Sequence, residues 1–121
     1  MRVATALAAT ALSVMLSGTA MAQGRQDFAL VNRTGYQIDQ VYVSSSRENS
    51  WGADVLGRGV LVPNATVNIT FPQKSSECMW DMRVIYNDGD RSEWRQLNLC
   101  RISRVTLFWN RREGTTRAVT E

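Results

Sequence analysis

The 121-residue chain contains no histidine. That removes the side chain whose ordinary pKa lies nearest neutrality, and with it the usual acid–base group and the commonest metal ligand. Cysteine is confined to Cys78 and Cys100. Two cysteines without histidine fall short of the four nitrogen or sulfur ligands that a structural zinc site needs. Lysine is almost missing too, with Lys74 standing against 13 arginines. Proline occurs only at Pro63 and Pro72, and no long segment carries apolar residues at helical spacing. The run Ser44-Ser45-Ser46 has no histidine to activate it and no Gly-x-Ser-x-Gly elbow, which leaves a serine hydrolase without support.

What is present begins with a leader. Residues 3–24 carry no charge, follow Arg2, and are mostly Ala, Leu, Val and Met up to Leu16. The stretch ends in Ala20-Met21-Ala22. A positive start, an apolar middle and a small-x-small site are the layout of a secretory signal peptide. A membrane anchor needs about 20 apolar residues. Here Ser13, Ser17, Gly18 and Thr19 make the second half too polar for a good span. The expectation is a signal peptide over residues 1–22 and a mature protein beginning near Gln23. It places the protein in the bacterial periplasm or medium, with no stable membrane span after cleavage. The remaining 99 residues are enough for one domain.

Those residues carry 13 basic and 11 acidic side chains, interleaved along the chain. A nucleic-acid reader shows a basic stripe with aromatic platforms, and this pattern does not. The densest basic group is Arg101, Arg104, Arg111, Arg112 and Arg117. It reads as solvated surface or as a docking patch for an acidic partner, since the arginine fork pairs with carboxylates.

Period-two alternation, bounded by Gly, Asn, Asp and Pro, predicts short strands over 27–33, 36–44, 60–62, 66–71, 79–86, 93–99 and 104–109. Phe28 and Leu30 share a face. So do Val67, Ile69 and Phe71, closed by Pro72. The most apolar strand aligns Trp80, Met82, Val84 and Tyr86, and the last aligns Val105, Leu107 and Trp109. Asn87-Asp88-Gly89-Asp90 predicts a hairpin turn. About seven strands in this length predict an all-β fold, either an antiparallel two-sheet sandwich of immunoglobulin or C2 type or a small barrel. The single domain 23–121 then ends in a polar, loose tail after Asn110.

A turn centred on Asp88-Gly89 places residue 78 opposite residue 99, and one bulge sets Cys78 across from Cys100. In an exported chain this spacing predicts a structural disulfide. A redox pair normally uses Cys-x-x-Cys.

Other constellations are weaker. Asp88 and Asp90 are candidate cation ligands, with Asp39, Glu48 and Asp54 as possible company, but they lack the ligand count and pattern of a calcium loop. Trp51, Trp94 and Trp109 are candidates for a sugar or peptide platform, with Trp109 reading as core by its alternation. Glu77, Asp81 and Glu93 offer a carboxylate pair for glycoside chemistry, against the ordinary reading of charges on a wet sheet face. The Asn-x-Thr patterns at Asn32, Asn64 and Asn68 read as turn and strand residues, because the leader has a bacterial look. The function this predicts is non-catalytic binding of an envelope protein or glycan, without a cofactor. Its contact surface is the loop 44–54 with Arg47, Trp51 and Asp54, aided by Arg111 and Arg112. The alternatives are a calcium- or carbohydrate-binding module, or a carboxylate-based hydrolase.

Several segments also resemble a known group. They are Phe28-Ala29-Leu30-Val31-Asn32-Arg33-Thr34-Gly35, Val41-Tyr42-Val43-Ser44, Trp51-Gly52, Cys78-Met79-Trp80-Asp81 and Asn98-Leu99-Cys100. In these the chain resembles small exported bacterial proteins of unassigned function. The resemblance spans most of residues 27–109 and implies a compact β-sandwich, and it transfers no catalytic residue. Chains of this look sometimes carry an argininosuccinate lyase label. That enzyme is large, helical and marked by a Gly-Ser-Ser signature, none of which this sequence has.

Overall fold

The computed structural model describes residues 26–71 and 76–121. The expected signal segment with its Ala20-Met21-Ala22 site, the strand stop at Pro72, and Lys74 lie outside the described residues. The strands are β1 (Phe28–Arg33), β2 (Ile38–Ser45), β3 (Thr66–Ile69), β4 (Met79–Tyr86), β5 (Arg91–Asn98), β6 (Arg104–Asn110) and β7 (Thr115–Thr120). Among the described residues there is no helix. The strands form a four-stranded sheet, β3-β1-β6-β7, and a three-stranded sheet, β2-β4-β5.

Alternation decides which face of each strand turns inward. Leu30, Val105 and Leu107 of the first sheet and Ile38, Val41, Met82 and Val84 of the second have no measurable exposure, and they belong to one apolar cluster. Burying each such side chain is worth about 1.5–3 kcal/mol. Trp80 extends the inward face of β4 and meets Phe71 edge-on, with centroids 4.9 Å apart. Trp94 and Leu97 are half-buried against the same core.

The β4–β5 hairpin follows the sequence closely. Gly89 turns at φ 91°, where a side chain is disfavoured, and the Asp88 Oδ1 accepts the Asp90 N–H at 2.9 Å. Met79 pairs with Asn98 and Trp80 with Leu97, the expected register; nearer the turn the pairing shifts by one, with Met82 on Trp94. The Leu99 N–H donates to the Cys78 carbonyl at 2.8 Å. Cys78 and Cys100 form a disulfide with Cα atoms 5.1 Å apart.

Four expectations need correction. The sandwich is not wholly antiparallel, because β1 runs parallel to β6. No tight turn joins these two strands, so nothing local fixes opposite directions. The segment 60–62 is not a strand: only Leu61 bridges to Ile38, while Val60 and Val62 stay exposed. The tail is not loose either, since β7 pairs with β6 from Val105↔Thr120 to Asn110↔Thr115. Asn110 closes the turn of that hairpin, its Oδ1 accepting the N–H groups of Arg112 and Glu113 ahead of Gly114 at φ 67°. Finally, Trp109 aligns with Val105 and Leu107 but is only half-buried, edge-on to the exposed ring of Tyr36 at 5.8 Å.

Candidate binding surfaces

Residues directly opposite in a ladder share a face. The registers Tyr42↔Arg83↔Glu93 and Ser44↔Asp81 therefore put these side chains together on the outer face of the three-stranded sheet. Asp81 departs from the wet-face expectation, for it is only 3% exposed. Its Oδ1 accepts the Ser46 hydroxyl at 2.6 Å and the Gln96 N–H at 2.9 Å, and its Oδ2 accepts Arg95 Nη1 at 3.0 Å. Gln96 sits at φ 56°, a left-handed position for a residue with a side chain. It falls where the β4–β5 register shifts. The buried carboxylate thus holds the bulge and the start of the following loop in one knot.

Burial by itself raises the Asp81 pKa. The hydrogen bonds from Ser46, Gln96 and Arg95, with the attraction of the Arg95 charge, outweigh it and bring the carboxyl below its ordinary value. Its ionisation therefore contributes stability that is complete above the unfolded pKa of about 3.9 and is lost as pH falls through the folded value. Asp81→Asn keeps the shape and removes the charge. It is expected to lose about 1 kcal/mol at neutral pH. Below about pH 4 the wild type should weaken more steeply than the variant, so that the gap narrows. Urea midpoints measured across pH check this, and parallel profiles would refute it.

From this knot the charges run outward. Arg95 Nη2 reaches Glu93 Oε1 at 3.3 Å, and Arg83 Nη2 reaches Glu93 Oε2 at 2.6 Å. The guanidinium carbons of Arg83 and Arg95 lie 4.8 and 5.9 Å from the centroid of the Trp51 ring. Cation–π contacts at such sites are worth about 0.5–1 kcal/mol each. Trp51, Arg83, Arg95 and Asp81 line, with Ser44, Glu48, Asn49 and Ser50, a depression of about 320 Å3. The loop over it is pinned by the Ser44 hydroxyl on the Ser50 carbonyl at 2.8 Å and by the Ser46 N–H on the Met79 carbonyl at 3.1 Å.

The expected contact residues divide. Trp51 lines this depression, and Arg47, in the same loop, is 82% exposed along its side chain and paired with Glu77 at 3.2 Å. Asp54 serves the backbone instead, its Oδ1 accepting the N–H groups of Val41 and Leu56. Arg111 and Arg112 are not brought to Trp51. They line a separate hollow of about 500 Å3 with Phe108, Trp109 and Arg117. A third hollow, of about 180 Å3, lies against Tyr36, Tyr86 and Trp109 and includes Asp88 and Asp90. Trp51, Trp94 and Trp109 therefore make no common platform. Among the described residues no group of three or more Cys, Asp or Glu side chains is placed to hold a metal ion.

Sequence reading named Asp81 and Asn32 but missed that both are buried. The first was legible from the hairpin register, which sets Asp81 against the Arg95–Gln96 step. Asn32 has no exposure; its amide donates to the Tyr36 and Leu61 carbonyls, and its Oδ1 accepts the Thr34 N–H and hydroxyl. Asn32 thus lies near the end of β1 with both amide protons committed inside the fold.

No family model matches the chain. No curated protein matches it. Among solved structures it is similar to the NMR structure of a protein from Eubacterium rectale, with TM-score 0.55 and 11% identity over 78% of this chain and 85% of that one. At that identity the likeness establishes the fold alone.

Proposed function

We propose that the chain is an exported, non-catalytic binding module of the bacterial cell envelope, an immunoglobulin- or C2-like sandwich whose first 22 residues are removed on export. The disulfide supports a location outside the reducing cytoplasm. An architecture without helices among the described residues runs against the lyase label that similar chains attract. The module's partner is an envelope protein, and its contact surface is the Trp51 depression.

One observation carries this reading: an indole set against two arginines on the outer sheet face. Trp and Arg are the residue types that dominate interface energetics, and a ring already oriented by Arg83 and Arg95 loses little freedom on binding. Arg95, with 64% of its side chain exposed, stands beside the indole while paired with Asp81 and Glu93. The matching partner presents an apolar side chain with a neutral hydrogen-bonding group beside it.

Affinity capture from the envelope fraction tests the reading. Wild-type protein is expected to retain a discrete partner that Trp51→Ala loses, by at least about tenfold, equal to about 1.4 kcal/mol. Equal capture by both would remove Trp51 from the surface. The first residue of the exported protein, read by terminal sequencing, is expected to be Gln23; a read from Met1 would contradict cleavage.

A further inference from the structure

We propose that the hollow at Tyr36 and Trp109 is a second binding site, for a single sugar ring. It lies at the end of the sandwich where the turn 87–90 and the turn before β7 meet the end of β1. It shares no lining residue with the Trp51 depression, so it stands or falls independently of the protein-docking role.

The rings of Tyr36 and Trp109 stand at 83° to one another with centroids 5.8 Å apart, which forms an aromatic corner. Tyr36 is 51% exposed. Aromatic residues left this open at a concave site are the ordinary platform for the C–H face of a pyranose. What separates this corner from the Trp51 depression is the state of its polar groups. At Trp51, Arg83, Arg95, Asp81 and Glu93 satisfy one another. At the corner, the Trp109 indole N–H, the Tyr36 hydroxyl, the Asp90 carboxylate and the Arg91 guanidinium have no side-chain hydrogen bond or ion pair among the described residues. Asp90 and Arg91 are adjacent in sequence yet form no pair. The corner therefore offers uncommitted donors, uncommitted acceptors and charges of both signs around an apolar wall.

A ligand that matches must donate and accept hydrogen bonds from the same groups, carry no net charge and show an apolar face. A ring with several hydroxyls does this. A cation satisfies the aromatic corner, Asp88 and Asp90 but faces Arg91; an anion faces both carboxylates. The volume of about 180 Å3 lies under the roughly 300–1,000 Å3 of sites for larger ligands, which limits the occupant to one ring or the end of a chain.

The test is a titration of the nitrogen-15-labelled protein, followed by NMR, with glucose, mannose and N-acetylglucosamine in turn, and with choline and acetate as cationic and anionic controls. At least one sugar is expected to give saturable shifts at the Trp109 indole N–H and at residues 87–91, while the Trp51 indole N–H stays still. Tyr36→Ala and Asp90→Asn change exposed side chains and should fold. Each is expected to abolish saturation or weaken it at least tenfold, whereas Trp51→Ala leaves it intact. Shifts with none of the sugars, equal shifts with choline or acetate, or sugar shifts that survive both corner variants would each overturn the proposal.

Discussion

Replacing both cysteines, as Cys78→Ala with Cys100→Ala, is expected to lower stability by about 3 kcal/mol. The bridge closes a loop across a sequence separation of 22, and its chief effect in the chain-entropy view is to shrink the unfolded ensemble. For a domain near one hundred residues, that loss corresponds to roughly 12–24 °C in Tm. The bridge joins the far ends of β4 and β5, the two strands that supply Met82, Val84 and the Asp81 knot. Calorimetry on oxidised wild type and on the double variant checks the expectation. An unchanged Tm would mean that the hairpin register alone holds these ends together.

Asn32→Ala is the second large effect, about 3 kcal/mol of destabilisation. Leu61 O also accepts the Ile38 N–H, and Tyr36 O also accepts the Thr34 hydroxyl, so the two carbonyls keep a partner. The loss falls on the Thr34 N–H, which is left unsatisfied in a buried place, and on the space vacated by the amide. Asn32→Asp separates this account from a pure packing effect. A carboxylate there would face the Tyr36 and Leu61 carbonyls, so burial and repulsion would raise its pKa. Its stability should then improve as pH falls, opposite to the direction at Asp81. Urea titration at several pH values decides it; an Asn32→Asp variant as stable as wild type at neutral pH would contradict the buried-amide account.

The contrast between Asn32 and Asp81 shows how far the sequence was readable. Strand β4 was legible to its ends, because Trp80, Met82, Val84 and Tyr86 alternate without interruption between a cysteine and an Asp-Gly turn. The disulfide was legible from the same turn by counting outward. Strand β7 was not: Thr-Thr-Arg-Ala-Val-Thr has only small or polar side chains, and its pairing depends on the Asn110 turn and on the finished edge of β6. The parallel β1/β6 pair was not legible either, since tertiary contact alone sets it. At the candidate surfaces, Trp51 stood out by its place after a polar loop. The partners that orient it come from β4 and β5, some thirty or more residues away. Arg111 and Arg112 looked like company for Trp51 by charge alone, and the fold sends them to the other sheet.

The Tyr36 corner was hidden for a related reason. Trp109 reads as core from its alternation with Leu107, but it sits at the end of β6, where the sheet runs out of cover. Period-two patterning tells which way a side chain points and not whether anything lies above it.

Photo-crosslinking in the native envelope tests the central claim most directly. A photoreactive residue at Ser50, on the rim of the Trp51 depression, is compared with one at Thr120, in β7 of the opposite sheet. A discrete adduct from position 50, absent from position 120 and abolished by Trp51→Ala, is the expected result. An adduct of equal yield from both positions, or one indifferent to Trp51, would contradict a binding module that works through this face.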